Sequence, residues 1–430
     1  MELNIEESVM TAPKRYERYA LYSFIFAISF TVLGPVVHYT GLGITAILLL
    51  YGRVRYKDKF FLTPDNKADI RIYAVTVGAL IWSMFANALS ATSFYMFGKS
   101  ATVSLEILIT LLFVQRLFNT DAARGKFLRI FIVTNVIIAS MWVARFFCGF
   151  YMPNKAMQNG NALAVYALLL MPVFYCYAFY SMHNLFVKIL LCVSSAAVIL
   201  ISFSAGAWIA AAGQGVALLF CLMMHRKVKL KKVFVVFSLS CVFIAAVFFS
   251  NNNLLISNFR REVAQLSSFT NTSVFTNHRS SAWLSALYFI KEKPIIGYGR
   301  ATYEDNYREM TTFFRTNGIV DSNNEEVYSH PHNMFLNIVY DAGIPSIIMF
   351  ACAVFLLLKK LFVLLKAVGL KPKEYMWVSL GIATIIGQLL WGLSNDVFDA
   401  RRDAAIIFWA IYSILIIYPS SDRTKTLRDN

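Results

Sequence analysis

Apolar runs long enough to cross a lipid bilayer recur from one end of this chain to the other. A bilayer core about 30 Å thick needs roughly 20 apolar residues of helix. Such runs fall at about 19–35, 37–52, 72–90, 100–118, 128–148 and 161–181. Others follow at 185–203, 206–224, 233–250, 334–358, 375–393 and 404–418, which makes about twelve spans. The first two share one apolar stretch broken at Gly34-Pro35, read as a tight hairpin or a kinked single helix. The expected fold class is therefore an all-α polytopic membrane protein of about 12 transmembrane helices. No Pro/Gly/Ser linker and no repeat of fixed period divides it, so residues 1–430 read as a single membrane domain. The N-terminus is polar and acidic (Glu2, Glu6, Glu7), so no cleavable signal is expected.

Composition excludes the alternatives. The chain is 58% hydrophobic and 15% charged, whereas a soluble domain carries about 25% charged residues. A disordered chain needs low hydrophobicity and high charge. The 6 cysteines all lie in apolar runs without CxxC spacing, and read as small buried hydrophobes, not as disulfides or a zinc site.

The formal net charge of +16, from 40 Lys+Arg against 24 Asp+Glu, would suggest nucleic acid in a soluble protein. In a membrane protein it reports orientation instead. With the N-terminus inside, the inner segments hold 27 of the basic residues and the short outer segments 5. Both termini are expected to be cytoplasmic, and no nucleic-acid partner is expected.

One long polar segment, 251–333, then falls on the outer, periplasmic side, with eight basic and eight acidic residues. Loops longer than about 12–15 residues in a compact domain are usually functional or disordered. Residues 279–293 have helix-friendly composition, with Trp283, Leu287 and Ile290 at helical spacing and Pro294 ending the run. Gly297-Tyr298-Gly299 is a turn signal. Arg300–Glu326 is polar and acidic enough for a mobile flap. The loop closes with Ser329-His330-Pro331-His332-Asn333, just before an apolar helix.

Asn333 suits the N-cap of that helix, which puts His332 beside a helix N-terminus. The positive end of the helix dipole disfavours imidazolium, so His332 is expected to be neutral near pH 7, as a general base requires. A plain surface turn would contain the same residues. A His-x-His pair can also bind zinc, but no Cys or suitably spaced acid supports it, so no metal is expected. Arg279, read alone, is a solvated or salt-bridged side chain. Its place in the same loop as His332 favours a shared role.

The ordered series Arg279-x-x-x-Trp283, Pro294 with Gly297-Tyr298-Gly299, His330-Pro331-His332-Asn333 and Tyr340-Asp341-Ala342-Gly343 resembles the O-antigen ligase and polymerase superfamily of bacterial inner-membrane glycosyltransferases. The segment Phe150–Pro172, where Asn159-Gly160-Asn161 leads into a helix, is similar to that family's middle region. The resemblance implies a GT-C-like helical fold without a required metal or cofactor. It implies transfer of a glycan from undecaprenyl diphosphate, at the periplasmic face, to a sugar hydroxyl of the lipid A core. By the same resemblance His332 would deprotonate that hydroxyl and Arg279 would grip the departing diphosphate, with inversion at the anomeric carbon. His330, Asn333, Trp283 and Asp341 would support them.

One departure stands out. The family commonly carries a second arginine in a Ser-Arg pair, and here the pair is Ser204-Ala205. Arg145, near the outer end of the fifth span, is the first substitute for diphosphate binding; interfacial snorkelling is its other reading. Arg401 and Arg402 are further substitutes, although beside Asp399 and Asp403 they also read as surface pairs. Glu106, inside the fourth span, is costly in lipid and should face the bundle interior. Sibling activities share the donor: a polymerase extending the glycan on its carrier, or a protein O-oligosaccharyltransferase. The short outer segment near 149–160 favours the ligase. A lipid-glycan transporter would need midplane ionisable groups and repeat symmetry, and little of either is present.

Overall fold

The computed structural model describes residues 12–58, 67–91, 94–148, 160–182, 184–225, 279–319, 327–367, 370–396 and 402–418, with a few positions between 257 and 264. Among these residues every long element is a helix. In lipid each backbone polar group must be satisfied within its own segment, and a helix does this. The first eight are α1 (Ala12–Ser29), α2 (Pro35–Tyr56), α3 (Lys67–Ser90), α4 (Phe94–Leu117), α5 (Asp121–Cys148), α6 (Gly160–Tyr180), α7 (Leu185–Ile201) and α8 (Ala205–Met224). Then come α9 (Ser280–Glu292), α10 (Tyr303–Thr316), α11 (Met334–Lys366), α12 (Pro372–Gly392) and α13 (Arg402–Ile417). Seven of the described helices are long and apolar enough to cross a membrane, and two shorter ones, Leu185–Ile201 and Ala404–Ile417, are also apolar. The chain is an all-α polytopic membrane protein. The apolar run at 233–250 lies outside the described residues.

The break at Gly34-Pro35 makes a hairpin. Pro35 takes the first turn of α2, where a missing N–H costs nothing, and α2 folds back along α1. The two approach closely: Ser23 Oγ donates to the Gly41 carbonyl at 2.9 Å, and a Cβ on Gly41 would sit 2.6 Å from that of Ala27. Small residues at such contacts let helix backbones approach where lipid supplies no hydrophobic drive.

At the centre, α12 packs against α8, α6 and α11, while α3 packs on α11 and α4 on α13. Polar groups inside the bundle find partners. Gln214 of α8 donates to the Leu168 carbonyl of α6 at 2.7 Å. Glu106 is buried, as expected, and accepts from the Tyr39 hydroxyl. Lys360 pairs with Asp69 at 2.7 Å and donates to the Leu415 and Ile416 carbonyls, fastening α11 to α3 and to the last turn of α13.

The feature that builds the site is a break in α11. Ala342 and Gly343 leave helical geometry, with φ +77° at Gly343. The freed groups are taken by the segment ahead of the helix and by α3. Tyr298 and Gly299 N–H donate to the Tyr340 and Asp341 carbonyls at 2.8 and 3.1 Å, and Ile344 N–H donates to the Pro294 carbonyl at 2.7 Å. Trp82 of α3 donates Nε1–H to the Ala342 carbonyl at 2.8 Å. Only glycine fits here, because a Cβ at Gly343 would lie 1.8 Å from the Ile295 carbonyl oxygen. The Tyr340-Asp341-Ala342-Gly343 motif is thus a stitched helix break.

Two sequence expectations change. Residues 300–319 are not a flap. Gly299 to Thr302 turn into α10, whose Tyr303, Tyr307 and Phe314 are buried in an aromatic cluster with Phe289, Tyr328 and Tyr340. Charge on one face hid an amphipathic helix. Residues 320–326 lie outside the described set. In α9 the buried face is Ser281, Ala282, Ser285, Ala286 and Phe289, and Leu287 is exposed. Close packing on α11 needs the small side chains, which a search for large apolar residues passes over.

Candidate active site

The site grows from the start of α11. Asn333 has extended backbone, and its Oδ1 accepts from the N–H groups of Phe335 and Leu336 at 3.0 and 3.1 Å, the expected cap. Its Nδ2 donates to the Leu393 carbonyl at 2.9 Å, so the cap also holds the end of α12.

His332 precedes the cap with φ +52°, in the left-handed region. The turn lays its ring against His330, centroids 4.0 Å apart and planes tilted by 38°. Tyr328 stands edge-on to it at 6.0 Å, and is itself backed by Tyr307 of α10 at 5.5 Å. His330 Nδ1 lies 2.9 Å from the Ser329 hydroxyl. His332 Nδ1 is enclosed and has no hydrogen-bond partner among the described residues. Burial, and then the nearby His330 ring and Arg279 guanidinium, push the His332 imidazole down to about 3. The neutrality expected from the helix dipole is found, but burial is its leading cause.

Arg279 takes the N-cap position of α9, and its carbonyl accepts from Trp283 N–H at 3.0 Å. Its guanidinium donates to the Ser394 carbonyl, just past the end of α12. The start of α8 arrives at the same place: a Cβ on Gly206 would lie 2.5 Å from Ser394 Oγ. Three helix N-termini, those of α8, α9 and α11, therefore meet the end of α12 at Leu393 and Ser394. Each start carries a partial positive charge, which suits an anion, although at α11 the Asn333 side chain already takes two of the N–H groups. Ala205, where the resemblance led to an expected arginine, is the first residue of α8.

The structure thus gathers Arg279, His330, His332 and Asn333. Trp283 lies one turn along α9, its indole N–H enclosed without a partner among the described residues. Asp341 is buried two turns below the α11 cap, with Asn337 Nδ2 3.4 Å from its Oδ2. Arg145 sits in the last turn of α5, which packs on α1, α6 and α7. Arg401, Asp399 and Asn159 lie outside the described residues, as do the side chains of Arg402 and Asp403. Among the described residues, no group of three or more His, Cys, Asp or Glu could hold a metal ion.

Sequence reasoning missed the residues of α3 that carry the loop. Asn87 Oδ1 accepts from Arg300 N–H at 2.6 Å, and Ser90 Oγ donates to the Gly297 carbonyl at 3.3 Å. It also missed Ser394, and it named Tyr340 in the motif series without the partners of its hydroxyl, Asn306 Nδ2 at 2.6 Å and Thr302 at 2.9 Å. An amide inside an apolar span was the signal available for Asn87.

Residues 190–351 match the family model described as O-antigen ligase. The match covers 162 of the 430 residues, and over that stretch the chain is similar to the family. The superfamily expected from the motif series is the one found. The matched segment runs from α7 to the middle of α11 and holds Ala205, Arg279, Trp283, His330, His332, Asn333 and Asp341. Arg145 lies before it. No curated protein matches the chain.

Proposed function

We propose that this protein is an O-antigen ligase-type glycosyltransferase. It moves a glycan from undecaprenyl diphosphate to a sugar hydroxyl of the lipid A core, at the periplasmic face of a bacterial inner membrane, with both termini cytoplasmic. The observation that carries this reading is the pairing of a neutral imidazole with a fixed guanidinium at a meeting of helix N-termini, inside a segment similar to the O-antigen ligase family.

The chemistry follows from those groups. The acceptor oxygen attacks the anomeric carbon, and the bond from that carbon to the diphosphate oxygen breaks. The electron pair leaves with the diphosphate, and His332 takes the hydroxyl proton. Attack opposite the leaving group inverts the anomeric configuration. Arg279 and the helix N-termini meet the charge that develops on the diphosphate, the role that a metal ion fills elsewhere. The enclosed Nδ1 of His332 has no partner among the described residues, and a buried polar atom left so costs about 1–3 kcal/mol. Asn333 and His330 hold the imidazole in place. Arg145 is proposed as a second cation for the diphosphate, and Arg145→Ala beside Ala205→Arg tests that role.

A deletion strain tests the activity. Uncapped lipid A-core, with polymerised glycan accumulating on its carrier, is expected. Single glycan units on the core would make the protein a polymerase, and loss of glycan from proteins alone would make it a protein O-oligosaccharyltransferase. Unchanged glycans on lipid and protein would overturn all three.

A further inference from the structure

A cleft opens between α3, α4, α11 and α13, next to the His332 cluster but of opposite character. Arg300, Asn337, Asp341 and Asp396 line its polar part, and Phe350 and Trp409 belong to its apolar wall. Asn337 Nδ2 reaches both carboxylates, 3.4 Å from Asp341 Oδ2 and 3.2 Å from Asp396 Oδ2. The three are 4%, 9% and 3% exposed, so the bundle holds two carboxylates where they are costly. Polar groups so placed in a membrane protein mark substrate paths.

Charge sorts the two places. Around His332 the described charges are the Arg279 guanidinium and three positive helix ends, set against the partial negative end of α12. Among the described lining residues of the cleft two carboxylates stand against one arginine, Arg300, which disfavours a diphosphate there. Hydroxyl groups are not: they donate to carboxylates and accept from amide and guanidinium N–H. A few convergent polar groups against an apolar, partly aromatic wall is a common pattern for small-ligand sites. A sugar ring, with a polar rim and C–H faces, matches it.

Position links the cleft to the chemistry. Asn337 lies one turn, about 5.4 Å, into α11 from the cap beside His332. Asp396 lies two residues past Ser394, which receives Arg279. We propose that this cleft seats the acceptor: the sugar ring whose hydroxyl is glycosylated binds Asp341, Asp396 and Asn337, while the diphosphate of the donor stays at Arg279. The assignment rests on the transferase reading above.

The test uses purified full-length protein in proteoliposomes, with undecaprenyl-diphosphate-linked glycan as donor and lipid A-core from a strain lacking the glycan as acceptor. Asp396→Asn and Asp341→Asn should each raise the acceptor KM about ten- to a hundred-fold, the loss of a charge-assisted hydrogen bond, with the donor KM within two-fold. An unchanged acceptor KM, or a rise confined to the donor, overturns the assignment. If either variant fails to accumulate, Ser83→Cys at the same cleft gives the readout. Lipid A-core should slow its maleimide labelling, above the background of the native cysteines, and undecaprenyl diphosphate should not; the reverse pattern, or no protection, overturns the assignment. Should His332→Asn and Arg279→Gln keep full transfer, the transferase reading falls and the cleft with it. Should those two variants abolish transfer while the cleft variants keep the acceptor KM, the cleft assignment alone falls.

Discussion

Asn333 joins the start of α11 to the end of α12, its Nδ2 donating to the Leu393 carbonyl at 2.9 Å while its Oδ1 caps its own helix. The next residue of the α12 end, Ser394, receives Arg279. The residue after His332 and the Arg279 guanidinium are thus tied to adjacent carbonyls at the end of α12. Asn333→Asp keeps the cap and loses the donor to Leu393, whereas Asn333→Ala loses both. Loss of the cap costs about 1 kcal/mol, so the Ala variant should have the lower thermal midpoint in detergent. Both variants should lose transfer. Full transfer by the Asp variant would show that the link to Leu393 is not needed.

The His332 imidazole titrates at about 3 in the folded protein, against about 6.5 when exposed. Between these values the unfolded chain binds a proton that the folded chain refuses, so this group's contribution to stability is full above pH 6.5 and is lost as pH falls toward 3. His332→Asn, which tolerates the left-handed backbone at this position, should flatten the decline of the thermal midpoint over that range. An equal slope in both proteins would place the titration elsewhere.

The positive Arg279 is one of the groups that hold the imidazole down. A diphosphate beside Arg279 would offset that charge and make His332 a better base when the donor is bound. Arg279→Gln should move the His332 titration upward, read from the carbon signal of labelled imidazole rings. A downward movement or none would separate the two residues.

Gly343 has φ +77° with its Cβ position 1.8 Å from the Ile295 oxygen, whereas Gly318, at φ +65°, has nothing within 4 Å. Gly318→Ala should carry only the left-handed penalty of about 1–2 kcal/mol. Gly343→Ala must also part the α11 break from the Pro294–Gly299 segment, and should fail to accumulate in membranes. Equal abundance of the two variants would mean that the break adjusts freely.

Lys360 and Asp69 form a buried pair at 2.7 Å. Changing one partner leaves a buried charge alone, which costs about 3–5 kcal/mol, whereas replacing both with apolar groups is often neutral. Lys360→Met should lower the thermal midpoint sharply, and Lys360→Met with Asp69→Leu should recover most of it. Additive losses would show that the carbonyl bonds to Leu415 and Ile416 matter more.

How much was legible in the sequence depended on range. Span lengths, the Asn333 cap and the Gly34-Pro35 interruption are local, set by a few neighbouring residues, and a reading of the chain finds them. The α10 helix escaped because a polar amphipathic helix resembles a polar loop until its Tyr303, Tyr307 and Phe314 face is seen to have a partner. Ser394 and Asn87 escaped for a different reason: their roles exist only once α12 and α3 are brought against the loop, and nothing in their own neighbourhoods announces that meeting. Arg279 and His332 were legible through the motif series, while the bond from Arg279 to a carbonyl more than a hundred residues away was not.

The most direct measurement is glycan transfer by purified protein in proteoliposomes, from undecaprenyl-diphosphate-linked glycan to lipid A-core, for wild type, His332→Asn and Arg279→Gln at matched amounts and matched thermal midpoints. Loss of the general base should slow turnover by about 10²–10⁴-fold, and Arg279→Gln should be comparably impaired. Transfer near the wild-type rate by either folded variant would contradict the assignment of imidazole and guanidinium to the reacting centre.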